Sequence, residues 1–131
     1  MKIPDEVKEI FKNEKCHQLA TASAKGVPNV SNIGGKYLRD DDTIVIVDNY
    51  MKKTITNVLS NPNVSILIRR EKVSYQIKGK CRYINEGTEY EEARKWMKSV
   101  AEKYPAKGAL IITVEDIFDS STGSNAGESI L

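Results

Sequence analysis

The clearest chemistry in the chain lies in Asp48-Asn49-Tyr50-Met51-Lys52-Lys53-Thr54-Ile55-Thr56-Asn57-Val58. A β-branched run, Thr43-Ile44-Val45-Ile46-Val47, leads into a polar loop. Lys53 and Thr54 then stand at the entrance to a helical pattern that puts Ile55, Val58 and Leu59 on one side and closes at Pro62. The first N–H groups of a helix have no intrahelical partner and sit at the positive end of its dipole. A lysine and a hydroxyl added there make a site for an anion such as a phosphate. Ordinary capping by Thr54 beside solvated lysines is the other reading.

Familiar catalytic patterns are missing. The sequence has no GxSxG, no GxxxxGK[ST] and no GxGxxG. His17 is the single histidine, and Cys16 and Cys81 are the two cysteines. Successive side chains of a strand point to opposite faces, so the neighbours Cys16 and His17 do not make a nucleophile and base. Without CxxC or HxxxH spacing no metal site is expected, and the two thiols read as buried and free rather than bridged.

At 131 residues the chain fits one domain, 1–131, with no internal repeat or linker. It is 40% hydrophobic and 29% charged, and no apolar run approaches the ~18 residues of a membrane-spanning helix. The opening MKIPDEVKEIF has no signal-peptide pattern. A cytoplasmic protein with no membrane partner is expected. Twenty basic and 18 acidic residues are interspersed, with a net charge of +2, which argues against nucleic acid as a partner. Gln76, Lys78, Lys80 and Arg82 recur with period two and read as a solvated strand face.

The positioning elements follow from periodicity. Pro4, Asp5 and Glu6 open a short helix with Val7, Ile10 and Phe11 on one face. Cys16–Ser23 and Val27–Ile33 form a hairpin around Ala24-Lys25-Gly26. Gly34-Gly35 interrupts the second run as a bulge, a bend or a close ligand approach would, and Lys36 to Arg39 resumes it. Val64–Arg69 and Val73–Ile84 follow as strands. Thr88 and Glu91 suggest a capping box before a helix that faces Trp96 and Met97 to the core and stops at Pro105. Ala109–Val114 is the last strand, and the polar stretch Ser120–Gly127 is expected to be extended or mobile. About six strands and three helices, connected mostly as hairpins, close naturally as an antiparallel barrel.

Taken together, Pro28–Leu38, Thr43–Val47 and Met51-Lys52-Lys53-Thr54-Ile55-Thr56-Asn57-Val58, with Leu19–Ser23 before them and Ala109–Val114 after, resemble the FMN-binding split barrel superfamily. This is the pyridoxamine 5′-phosphate oxidase-like group, and the chain looks most like its small members from anaerobic prokaryotes. The resemblance implies a mainly β (α+β) fold, a six-stranded antiparallel split barrel with flanking helices. It implies FMN as cofactor, with the phosphate on Lys53 and Thr54 and the isoalloxazine against Asn32, Ile33 and Gly34 and the loop Asp48, Asn49, Tyr50 and Met51. It also implies an oxidoreductase or electron carrier working with a small-molecule or protein redox partner. F420 and haem are alternatives within the fold, and a non-enzymatic flavin or phosphate binder is another.

The resemblance further implies a homodimer with flavins near the interface. In the sequence, Tyr75, Ile77, Cys81 and Tyr83 on one face of the long strand suggest surface for a partner barrel, and the tail ending Ile130-Leu131 could reach across to it. The family's oxidase proper carries a C-terminal arginine and histidine for its substrate. Glu128-Ser129-Ile130-Leu131 supplies neither, so oxidation of pyridoxamine 5′-phosphate is not expected.

Overall fold

A computed structural model describes residues 2–131. Its elements run α1 (Asp5–Asn13), β1 (His17–Ala22), β2 (Pro28–Ile33), β3 (Lys36–Leu38), β4 (Thr43–Asp48), α2 (Lys53–Ser60), β5 (Asn63–Arg70), β6 (Val73–Ile84), α3 (Thr88–Val100) and β7 (Gly108–Asp119). The strands form one seven-stranded antiparallel sheet in the order β2-β1-β5-β6-β7-β4-β3.

This order forces the sheet to roll. Strands β2 and β3 are its two edges, yet only Gly34 and Gly35 separate them in the chain. Laid flat, seven strands at ~4.8 Å spacing would put the edges about 29 Å apart. The step from Ile33 to Lys36 spans at most about 11 Å. The sheet therefore curls until its edges meet, and the seam of the split barrel runs through Gly34-Gly35. Here the expectation of six strands needs correcting. Lys36–Leu38 does not resume β2; it crosses the seam and pairs with β4, Tyr37 opposite Val45. A sequence pattern records that both runs are extended but not which neighbour each one finds.

Two apolar clusters account for the patterns. Inside the barrel, Leu19, Ile44, Ile46, Ile66, Ile68, Ile77, Leu110, Ile112 and Ile117 pack with Ile3, Val7, Ile10 and Phe11, which close one end. On the outside of β4 and β7, Val45, Val47, Ala109 and Ile111 pack under Ala93 and Met97 of α3. Strand β4 is thus covered on both faces, which is why its run is β-branched throughout. The face of β6 bearing Tyr75, Ile77 and Cys81 is buried in the chain's own core, so it is not surface awaiting a partner. Lys78, Lys80 and Arg82 on the other face are exposed, as expected.

Smaller expectations also shift. Gly87, at φ +92°, caps α3, with no side-chain hydrogen bond, so the Thr88/Glu91 box does not form. Cys81 is buried but Cys16 is exposed, and both are free. The tail is not loose. Ile130 N–H donates to the Ile117 carbonyl and Asp119 N–H to that of Glu128, so the chain end folds back along its own β7. That half of β7 extends past β4, whose pairing ends at Thr113, and the tail covers the open edge. Among the described residues, no helix is long and apolar enough to cross a membrane.

Candidate functional site

Among the described residues β2 pairs only with β1, so the backbone groups along its second edge have no strand partner there. That edge, the seam glycines, the loop after β4, the start of α2 and the end of α3 enclose a cavity of about 660 Å³. The volume is in the range of small-molecule and cofactor sites. Asn32, Ile33, Gly34, Asn49, Tyr50, Met51, Lys53 and Thr54 all line it, so the structure brings these sequence candidates to one place.

Asp48 is the exception. Its side chain is 2% exposed and points away from the cavity's lining, accepting hydrogen bonds from the Tyr83 hydroxyl (2.9 Å) and the Met51 N–H (3.0 Å). The Lys107 ammonium lies 3.9 Å from it. Asp48 thereby shapes the loop that carries Asn49–Met51. Asn49 is fixed from the other side, its Oδ1 accepting from Ala106 N–H at 3.0 Å.

The start of α2 has the features of an anion site. Lys52 is its N-cap and makes no side-chain cap, so Thr54 is not the cap but the second helical residue. No acidic residue occupies the first turn, whereas α1 has Asp5 and Glu6 there and α3 has Glu89 and Glu91. Thr54 is 4% exposed, and Asn29 Nδ2 reaches its hydroxyl at 3.5 Å. The free N–H groups, the dipole and Lys53 together favour negative charge at this end.

The glycines form the bend between β2 and β3, one of the readings the sequence offered. A Cβ on Gly35 would meet Met97 Sδ at 2.9 Å, while one on Gly34 would meet only the Lys15 carbonyl, at 3.5 Å. A side chain at Gly35 would therefore push on the flexible end of Met97, where α3 sits against the seam.

Sequence reasoning missed the wall supplied by α3. Trp96, Met97 and Val100, with Tyr104 just beyond, line the cavity. Trp96 is half-buried: it packs against the outer apolar cluster, as a core-facing position should, with its ring 4.8 Å from that of Tyr37 and tilted 45° to it, and it also lines the cavity. Helical periodicity marks the buried stripe but not where that stripe runs off the sheet. In the sequence Val100 shares that stripe, and only the structure shows it 60% exposed at the helix end.

His17 is not in the site. It is fully buried, stacked on Phe11 at 5.0 Å, with Nε2 2.9 Å from the Phe11 carbonyl and Nδ1 without a partner among the described residues. Among those residues, no group of three or more His, Cys, Asp or Glu side chains could hold a metal ion.

Comparison with known proteins bears on this geometry. Residues 3–121 match the family model described as pyridoxamine 5′-phosphate oxidase. An uncharacterized protein of Methanocaldococcus jannaschii is 33% identical over 99% of this chain and 89% of its own. The crystal structure of HupZ from Group A Streptococcus is 33% identical, covering 95% of this chain and 99% of that one, with a TM-score of 0.82. An FMN-binding protein from Syntrophomonas wolfei shares the fold at 19% identity, covering 88% of this chain and 87% of that one, with a TM-score of 0.74. The fold is also that of HutZ, the heme storage protein of Vibrio cholerae, and of an F420 reductase. These are 18% and 14% identical, with TM-scores of 0.69 and 0.67. HutZ covers 92% of this chain and 97% of its own, and the reductase 88% and 98%.

Proposed function

The chain belongs to the pyridoxamine 5′-phosphate oxidase family, and from that premise we propose that it is an FMN-binding oxidoreductase or electron carrier. The observation that carries this reading is the meeting, in one cavity, of the uncapped start of α2 with the unpaired edge of β2.

The residues fit the cofactor. Lys53, the Thr54 hydroxyl and the first N–H groups of α2 hold the phosphate. The edge of β2 from Asn29 to Ile33 offers backbone donors and acceptors to the polar rim of a planar ring, and Asn32 adds a side-chain amide. Asp48 and Ala106 hold the loop that closes the site beside Met51. When bound, FMN supplies one- and two-electron redox chemistry, and the protein supplies position, charge and exclusion of water. Haem is less well served, because the chain's single histidine lies buried against Phe11 away from the cavity.

The same proposal includes a homodimer. Val30, Tyr50 and Val100, at the rim of the cavity, are 67%, 69% and 60% exposed. On the outer face of β2, β1 and β5, the cross-strand rows Val30–Ala20–Ser65 and Asn32–Gln18–Leu67 contain no charged side chain. Covering that face with a second copy would remove the apolar rim from water.

Titration of the purified protein with FMN, riboflavin, F420 and hemin tests the reading. FMN should bind more tightly than riboflavin, which lacks the phosphate, and tighter binding of F420 or hemin would replace it. Sedimentation of the FMN-loaded protein should give a dimer, and a flavin-loaded monomer of 14.7 kDa would overturn that part.

A further inference from the structure

Resting on the flavin reading of the cavity, we propose that Asn49 is a hydrogen-bond donor, aimed by the backbone of Ala106, that meets an acceptor atom of the flavin ring and makes the protein hold the reduced cofactor more tightly than the oxidised one.

Ala106 is held in a strained conformation. It and Glu71 are the two non-glycine residues at positive φ among those described. Glu71 lies exposed in the turn between β5 and β6, whereas Ala106, at φ +46°, is fully buried between α3 and β7. A left-handed alanine is costly and persists only where its surroundings fix it. Both of its polar backbone groups are taken. The Tyr90 hydroxyl of α3 donates to its carbonyl at 2.8 Å, and its N–H donates to Asn49 Oδ1 at 3.0 Å. Beside it Lys107 N–H donates to the Asp48 carbonyl at 2.8 Å, so the contact between β7 and β4 runs on past Asp48 onto a side chain.

The Asn49 amide is thereby left one orientation. A backbone N–H only donates, so the atom facing it is the oxygen and the nitrogen points the other way. Nδ2 lies 3.5 Å from Met97 Sδ and 3.5 Å from where a Cβ on Gly35 would stand. A thioether is a weak acceptor, and the second N–H of Nδ2 has no partner among the described residues. Asn49, Gly35 and Met97 all line the cavity, and glycine at 35 leaves Nδ2 uncovered on that side. Lys53 and Thr54 take the phosphate in the flavin reading, so the group that Asn49 meets is the ring. Reduction adds electron density to the acceptor atoms of that ring, and a donor fixed in place beforehand stabilises the electron-rich state more.

Asn49→Asp tests this at neutral pH, where a carboxylate is charged. It keeps an oxygen for Ala106 N–H and replaces the donor with a negative acceptor. Dissociation constants for oxidised and dithionite-reduced FMN should show a loss at least tenfold larger for the reduced form, a fall of about 30 mV in the two-electron potential. Riboflavin, which has the same ring, should show the same gap. Ala106→Gly keeps the N–H but widens its range, and should shift the same ratio in the same direction by a smaller factor. Equal losses in the two redox states, or a gap with FMN and none with riboflavin, would overturn the role of Asn49. An unchanged ratio in Ala106→Gly would overturn that of Ala106. Should Asn49→Asp not fold, the Asn49 side-chain amide of the ¹⁵N-labelled parent protein decides: its resonance should move downfield when FMN binds and further on reduction, and a resonance that does not respond overturns the proposal. Failure of the parent protein to bind either flavin is a different outcome, in which the flavin reading falls and takes this role of Asn49 with it.

Discussion

Met97 Sδ sits in the space beside Gly35, 2.9 Å from where a Cβ on that residue would lie. The seam of the barrel and the helix that walls the cavity are thus in direct contact, and the glycine sets how closely they approach.

Gly35→Ala should destabilise the protein by about 1 kcal/mol, the low end of the overpacking range, because the atom it meets is the flexible end of Met97. It should also disturb the α3 wall, read as a change in Trp96 emission. Met97→Ala alone leaves a void and costs about 2–5 kcal/mol. In the double variant the two costs should sum to less than their separate values, because the smaller side chain gives the new methyl room. Denaturant midpoints of the four proteins check this, and strict additivity would show that the contact is not close.

Lys53→Ala and Thr54→Val should each lower FMN affinity, Lys53→Ala by about 1.5–3 kcal/mol, the range for hydrogen bonds to charged groups. Riboflavin affinity should be unchanged in both. An equal loss for the two ligands would place the phosphate elsewhere.

Tyr83→Phe removes one of the two hydrogen bonds that the buried Asp48 carboxylate accepts, at a cost of about 1–3 kcal/mol in stability. The loop Asn49–Met51 should loosen, giving faster amide exchange at Met51 than at the strands beside it. Unchanged exchange there would mean that Asp48 is not what holds the loop.

Alkaline pH should unfold the protein by a related route. Burial, then the hydrogen bond to Asp48, pushes Tyr83 up to about 12, and burial, then Glu6, pushes Tyr75 up to about 12. Their ordinary value is 10.0, so the unfolded chain loses these protons first. The contribution of these two tyrosines should be constant below pH 10 and be lost between about pH 10 and 12, on top of a loss that begins near pH 9 from Cys81, whose thiol is pushed by burial from 9.0 up to about 12. Tyr83→Phe should flatten part of that slope in urea midpoints.

Acid acts through His17. Burial, assisted by nearby Lys36, lowers its pKa below 6.5, against the Phe11 carbonyl and Glu14, which favour the proton. The unfolded chain therefore takes up a proton near pH 6.5 that the folded chain refuses. Stability should be flat above that pH and fall as pH drops through 6.5 toward the folded value. His17→Phe should remove the slope, and a slope that persists would assign the acid sensitivity to other groups.

Local pattern made much of the protein legible. The three helices, the hairpin of β1 and β2, and the chemistry of Lys53 and Thr54 all depend on neighbours within a few residues, where 3.6- and 2-residue periods and helix-end chemistry act. The resemblance carried by the order of those segments placed Asn32, Ile33, Gly34 and Asn49–Met51 on one cavity. Their partners were not legible. That Lys36–Leu38 leaves β2 for the far edge, that Gly35 lies against Met97, and that the Asp48 carboxylate accepts from Tyr83 outside the cavity's lining are all contacts between residues distant in sequence. Closing a barrel decides them, because only the rolled sheet brings its two edges and α3 to a common seam. An amphipathic pattern says which side of α3 is apolar, while the position of that seam decides that Ala93 packs on the sheet and Trp96 faces a cavity.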